Sequence, residues 1–144
     1  MNGLRNLVFN SLAGDQPLNG LGLTATNLYP AFSRDDSDFA MEGETFTVLR
    51  WNESTRGVGP VVPVGLDIWA YDINPDYSNI MAVLKRCRAV LEALVGAVIP
   101  GETTENGRAS VNGVDWSGGS PDLFDPLYNR YTRSETYRIV ASGS

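Results

Sequence analysis

The run Val61-Val62-Pro63-Val64-Gly65-Leu66-Asp67-Ile68-Trp69-Ala70-Tyr71 leads almost directly into Asn74-Pro75-Asp76-Tyr77 and on to Val98-Ile99. Its first part has the period of two of a strand: Val64, Leu66, Ile68 and Ala70 share one face, and Gly65, Asp67, Trp69 and Tyr71 the other. The second part changes period. Ile80, Leu84, Cys87, Leu91, Leu94 and Val98 follow steps of four and three, with Val83, Val90 and Val95 broadening the band and Lys85, Arg88 and Glu92 opposite it. Asn74 has the chemistry of an N-cap, Pro75 suits the first helical position, Asp76 complements the helix N-terminus, and Pro100-Gly101 stops it. The spacing predicts one long helix over residues 75–99, ~37 Å in length. Such a helix must be covered by another layer, and the strands before it are the natural cover.

Working outward, residues 45–51 also alternate, with Phe46, Val48 and Arg50 facing one way and Thr45, Thr47, Leu49 and Trp51 the other. This run and residues 61–71 should form an antiparallel hairpin, with Pro60 and Pro63 confining the start of the second strand to an edge or bulge. Leu4, Leu7, Val8 and Leu12 mark a short N-terminal helix that stops at Gly14. Residues 16–22 read as turns, and 23–29 as a strand ended by Pro30. Residues 33–44 are acidic and aperiodic, a solvated loop. Downstream, residues 102–107 form a polar turn, 109–116 a strand and 117–121 a tight loop; 122–128 carry no clear pattern. Residues 133–141 are a last strand, with Tyr137 and Ile139 opposite Arg138 and Val140. The expected fold is α+β: a mostly antiparallel sheet packed against one long helix, with a short N-terminal helix, in a single domain over residues 1–144.

Composition narrows the function. The chain has 144 residues, 42% of them hydrophobic, enough for one core. Charged residues are only 19%, against about 25% in average soluble domains, which fits either burial between subunits or a neutral polar surface. With 17 acidic against 11 basic residues the net charge is −6, which argues against gripping nucleic acid. The single cysteine, Cys87, falls on the apolar stripe, so it reads as a core thiol in a reducing compartment. The N-terminal residues do not read as a signal peptide, and no window has the roughly 20 apolar residues of a membrane span.

Catalytic vocabulary is scarce. There is no histidine, so no Ser-His-Asp or Cys-His arrangement is possible, and zinc ligands are lacking. Asp67, Asp72 and Asp76 gather near one strand-to-helix junction, where paired carboxylates would hold a divalent ion or act as acid and base. Asp67 and Asp72, however, face opposite sides of an ideal strand. Asp35, Asp36 and Asp38 resemble the opening of an EF-hand only faintly: Met41 stands where the turn glycine belongs and Thr47 in place of the closing glutamate. No catalytic, cofactor or metal site is expected. The aromatics Trp51, Trp69, Tyr71, Trp116, Tyr128 and Tyr131 are numerous for a small domain. The strand face carrying Trp69 is covered either within the monomer, by the N-terminal helix, or by a neighbour.

The order of these elements, with Leu12-Ala13-Gly14, Tyr29-Pro30, Val48-Leu49-Arg50-Trp51, Val64 through Asp72, Tyr77-Ser78-Asn79-Ile80, Leu91-Glu92-Ala93-Leu94, Tyr131-Thr132-Arg133 and Tyr137-Arg138-Ile139-Val140, resembles the tail terminator (tail completion) proteins of long-tailed bacteriophages. The resemblance implies a structural virion protein, not an enzyme, made in the bacterial host cytoplasm. It would form a homo-oligomeric ring, usually a hexamer, on the head-proximal end of the tail tube. Such a ring closes through heterologous contacts, ends tube polymerisation, and presents a face to a neck or head-completion protein while genomic DNA passes through. Arg50, Trp51 and Trp69 are then the candidate subunit-interface residues, and Asp35, Asp36 and Asp38 the candidate lumen or tube-facing loop. Another neck connector, or a small acidic ligand-binding or metal-dependent domain, remains open.

Overall fold

A computed structural model of the chain describes residues 2–30, 45–53, 61–104 and 107–142. Along the chain come α1 (Asn2–Ala13), α2 (Gln16–Gly20), β1 (Leu28–Tyr29), β2 (Thr45–Glu53), β3 (Val61–Asp72), α3 (Ser78–Glu92), β4 (Val98–Thr104), β5 (Gly107–Gly119), β6 (Leu123–Asp125) and β7 (Arg130–Ser142). The strands join in one sheet in the order β1-β2-β3-β7-β5-β4, with β6 paired to β7 beside β5. All pairs are antiparallel except β1 with β2. The fold is a sheet-dominated α+β domain whose sheet curls as a half-barrel.

The expected hairpin is present. β2 and β3 pair from Thr45↔Asp72 to Glu53↔Val64, so the two alternating runs place Leu49, Leu66 and Ile68 on one face. Pro63 sits one residue beyond the last of these pairs, opposite Val140 of β7. β3 is therefore central, and its proline falls where β2 has ended, which removes the conflict between a proline and an interior strand. Pro60 lies outside the described residues.

The long helix is corrected at both ends. α3 covers Ser78–Glu92, about 22 Å at 1.5 Å per residue. Its buried residues are Ile80, Val83, Leu84, Cys87, Val90 and Leu91, the stripe the sequence predicts. At its start the cap is Tyr77, not Asn74. Tyr77 is left-handed at φ 59° without a side-chain cap bond, held by its hydroxyl donating to the Leu123 carbonyl at 2.6 Å and its ring meeting Tyr131 edge-on. Asp76 instead accepts from the N–H and hydroxyl of Ser78. At its end, Gly96 at φ 90° turns the chain back, a conformation that costs glycine little. The Gly96 N–H donates to the Val111 carbonyl and the Val111 N–H to the Ala97 carbonyl, so Val98–Thr104 continues as strand β4.

Shorter readings also change. Residues 16–20, read as turns, form the helix α2, and residues 102–104, read as part of a turn, end β4. Residues 24–26 form a turn, leaving only Leu28–Tyr29 as strand, and residues 117–119 extend β5 through a bulge. The unassigned stretch contains β6.

One core lies on the inner face of the sheet. It joins Leu4, Val8 and Leu12 of α1, Leu18 of α2 and the stripe of α3 to Leu49, Leu66, Ile68, Val111, Tyr137 and Ile139. The N-terminal helix thus sits on the same side as α3, not across the sheet. The opposite, outer face has its own small cluster of Phe46, Val48, Tyr71 and Tyr128. No helix among the described residues is long and apolar enough to cross a membrane.

Candidate interaction surfaces

The outer face owes its cover to aromatic packing. Phe46 and Tyr71 stack with ring centroids 4.4 Å apart and planes at 8°. Tyr128, from the turn before β7, meets both edge-on at 5.7 and 5.6 Å, and Tyr29 meets Phe46 edge-on. Each such pair adds about 0.5–1.5 kcal/mol beyond its buried area. Burial raises the Tyr71 phenol above its ordinary value, with the charge of Asp125 adding to the effect.

Trp69 is half-buried against this cluster. Arg50 is exposed on the same face, and the register Val48↔Trp69 and Arg50↔Asp67 makes it a diagonal neighbour of Trp69. Trp51 lies on the inner face, half-buried against the main core, with the Arg5 guanidinium 5.9 Å from its ring centroid. It lines a cleft of about 420 Å³ with Arg5, Phe9 and Leu49. The fold therefore brings Arg50 and Trp69 together and sends Trp51 to the other side of the sheet. Asp35, Asp36 and Asp38 lie outside the described residues.

The three carboxylates near the strand-to-helix junction are each engaged separately. Asp67 accepts from the Thr136 hydroxyl at 2.7 Å and the Asn52 amide at 3.3 Å. Asp72, buried, accepts from the Thr45 hydroxyl. Asp76 supports the start of α3. Among the described residues no group of three or more His, Cys, Asp and Glu is placed to hold a metal.

Two surfaces escape the sequence reading. At one end of the sheet Ile73, Leu123, Phe124 and Leu127 are exposed together with β6. On the inner face Lys85 and Arg88 of α3 lie across a groove from Arg133, Glu135 and Tyr137 of β7. The (i, i+3) spacing of Lys85 and Arg88 shows that they share a helix flank, but which strand faces them is a matter of tertiary packing.

These features define a sheet-dominated α+β domain with a helix-covered inner face and an aromatic outer face. No protein-family model matches the chain. No curated protein sequence matches it either. Among solved structures, a chain from the virion of a native gene transfer agent particle shares the fold, with a TM-score of 0.65 at 17% identity over 97% of this chain and 95% of that one.

Proposed function

We propose that this chain is a structural virion protein of a phage-like particle. Copies of it close into a ring, six by analogy with tail terminators, on the head-proximal end of a tail tube, where the ring ends tube polymerisation and joins tail to neck. The observation that carries this reading is the fold likeness to a virion chain over nearly the whole length of both molecules. The likeness supports a virion role, and the terminator assignment rests on the order of sequence elements set out above.

Surface chemistry supports assembly. A stable contact buries about 800 Å² per partner, and a ring subunit makes two, roughly a fifth of the 7826 Å² surface of this chain. Ile73, Met81, Trp116, Leu123, Phe124 and Leu127 supply exposed apolar area for such contacts. The net charge of −6 suits a ring through which DNA slides without adhering. The role is geometric and non-catalytic, with the tube protein, the neck protein and further copies of the chain as partners.

The test is the mass of the purified protein, dilute and concentrated, alone and with the tube protein of the same particle, with electron microscopy of the tubes. A ring of about six copies, or one that appears on tube ends and halts their growth, is expected. A protein that stays monomeric while tubes lengthen unchanged overturns the assignment. Binding to the neck protein alone would move it to a connector.

A further inference from the structure

The groove between α3 and β7 has a volume of about 310 Å³. One buried donor lines it without a hydrogen-bond partner: the Tyr137 hydroxyl, on a residue only 1% exposed. The Arg133 Nε, which also faces the groove, is held by Asp122 as an ion pair at 3.4 Å. Buried polar groups in folded proteins are nearly always satisfied, so an unsatisfied hydroxyl in the wall of a groove marks a place for an acceptor oxygen.

Charge points the same way. Lys85 and Arg88 stand on the α3 side and Arg133 on the β7 side, in a chain with only 11 basic residues. Two of these cations are already paired with anions, so the charge left for a ligand is that of Lys85. Glu135 accepts from the Trp116 indole N–H, Glu92 pairs with Arg88 at 2.9 Å, and Asp122 pairs with Arg133. Lys85 is exposed and makes no ion pair with a described residue. Met81 and Leu84 supply an apolar wall.

We propose that this groove binds a carboxylate carried on a short aliphatic stem. Tyr137 donates a hydrogen bond to one of its oxygens, Lys85 supplies the opposite charge, and Met81 and Leu84 pack on the stem. A glutamate side chain presented by a peptide and a free dicarboxylate share this chemistry. The site belongs to the single subunit and does not depend on ring formation.

The test is a titration of the ¹⁵N-labelled full chain with glutarate, with a capped Gly-Glu-Gly peptide, and with neutral glutaramide. The signals followed are the indole N–H of Trp116, whose ring centroid lies 5.1 Å from the Arg88 guanidinium, and the Arg133 Nε–H. Millimolar carboxylate should shift both, and glutaramide neither. Tyr137→Phe and Lys85→Glu should each weaken binding about tenfold or more, the usual effect of losing a charge-assisted bond, in a chain that remains folded by its amide spectrum. A response to glutarate alone makes the ligand a free acid; a response to the peptide alone makes it a presented side chain. No shift with either carboxylate, equal shifts with glutaramide, or binding unchanged in both variants overturns the proposal.

Discussion

Asp15 acts on two elements at once. One of its carboxylate oxygens accepts from the Leu18 N–H and caps α2, and both accept from Arg86 of α3 at 2.9 Å. The Arg86 guanidinium holds the Asp15 carboxyl below the usual carboxylate range, against the opposing effect of burial. Asp15→Ala should therefore destabilise the fold by about 1 kcal/mol through the lost cap alone. Asp15→Asn keeps a capping oxygen and should lose mainly the ion pair. Because the folded-state value lies below the unfolded value near 3.8, the stabilisation is full above that value and disappears as pH falls through the lowered one. Denaturation of wild type and Asp15→Asn from neutral pH to below about pH 3, under the ordinary carboxylate range, checks this. A gap between the proteins that does not narrow in acid would overturn it. Cys87 shows the reverse case: burial pushes its thiol up to about 12, as its place on the apolar stripe implies.

At the scale of the element, docking of α1 depends on a glycine. A Cβ on Gly3 would lie 2.2 Å from the Pro100 carbonyl oxygen of β4, and that oxygen belongs to backbone that cannot simply rotate away. Gly3→Ala should cost about 1–3 kcal/mol, the range for overpacking. Gly20→Ala, where a Cβ meets nothing within 4 Å, should be neutral or slightly stabilising. Thermal unfolding of the pair is the measurement; equal midpoints would mean that α1 shifts freely on β4. The same contrast shows what the sequence makes legible. The faces of β2 and β3 follow from alternation, because a strand's own two-residue period decides which side each residue faces. The ends of α3 do not. Val95 and Val98 extend the helical period, and only Gly96, with the β-branched Val95, Val98 and Ile99 around it, signals the reversal into β4. Tyr77 displaces Asn74 as cap through contacts with Leu123 and Tyr131, some 50 residues away, which no local pattern reveals. The groove around Tyr137 is hidden for the same reason, since its two sides lie on separate elements.

For the whole molecule, the placement of Arg50, Trp51 and Trp69 limits how a ring could use them, because the sheet separates Trp51 from the other two. A contact reaching all three must wrap the edge of β2. Among the described residues, that edge is open in part. β1 pairs with β2 only at Thr47 and Val48, and no described strand continues alongside Arg50 and Trp51. The Thr47 N–H donates toward the β1 side, to the Asn27 carbonyl. By the alternation of strand backbones the Trp51 N–H points to that side too, beyond the end of β1. An unpaired edge of this kind is a template for strand addition by another chain. If the proposed ring closes through β2, the Trp51 amide should exchange quickly with deuterium in the monomer, compared with Leu66 and Ile68 in central β3, and slow by about tenfold or more once the ring forms. Arg50→Glu should weaken the assembly while leaving the monomer's unfolding midpoint nearly unchanged, because its side chain is exposed. Trp69→Ala should weaken both, since that ring also packs on the Phe46 and Tyr71 cluster. A ring in which the Trp51 amide exchanges as fast as in the monomer would place the subunit contact elsewhere, with the exposed set around Leu123, Phe124 and Leu127 the next surface to test.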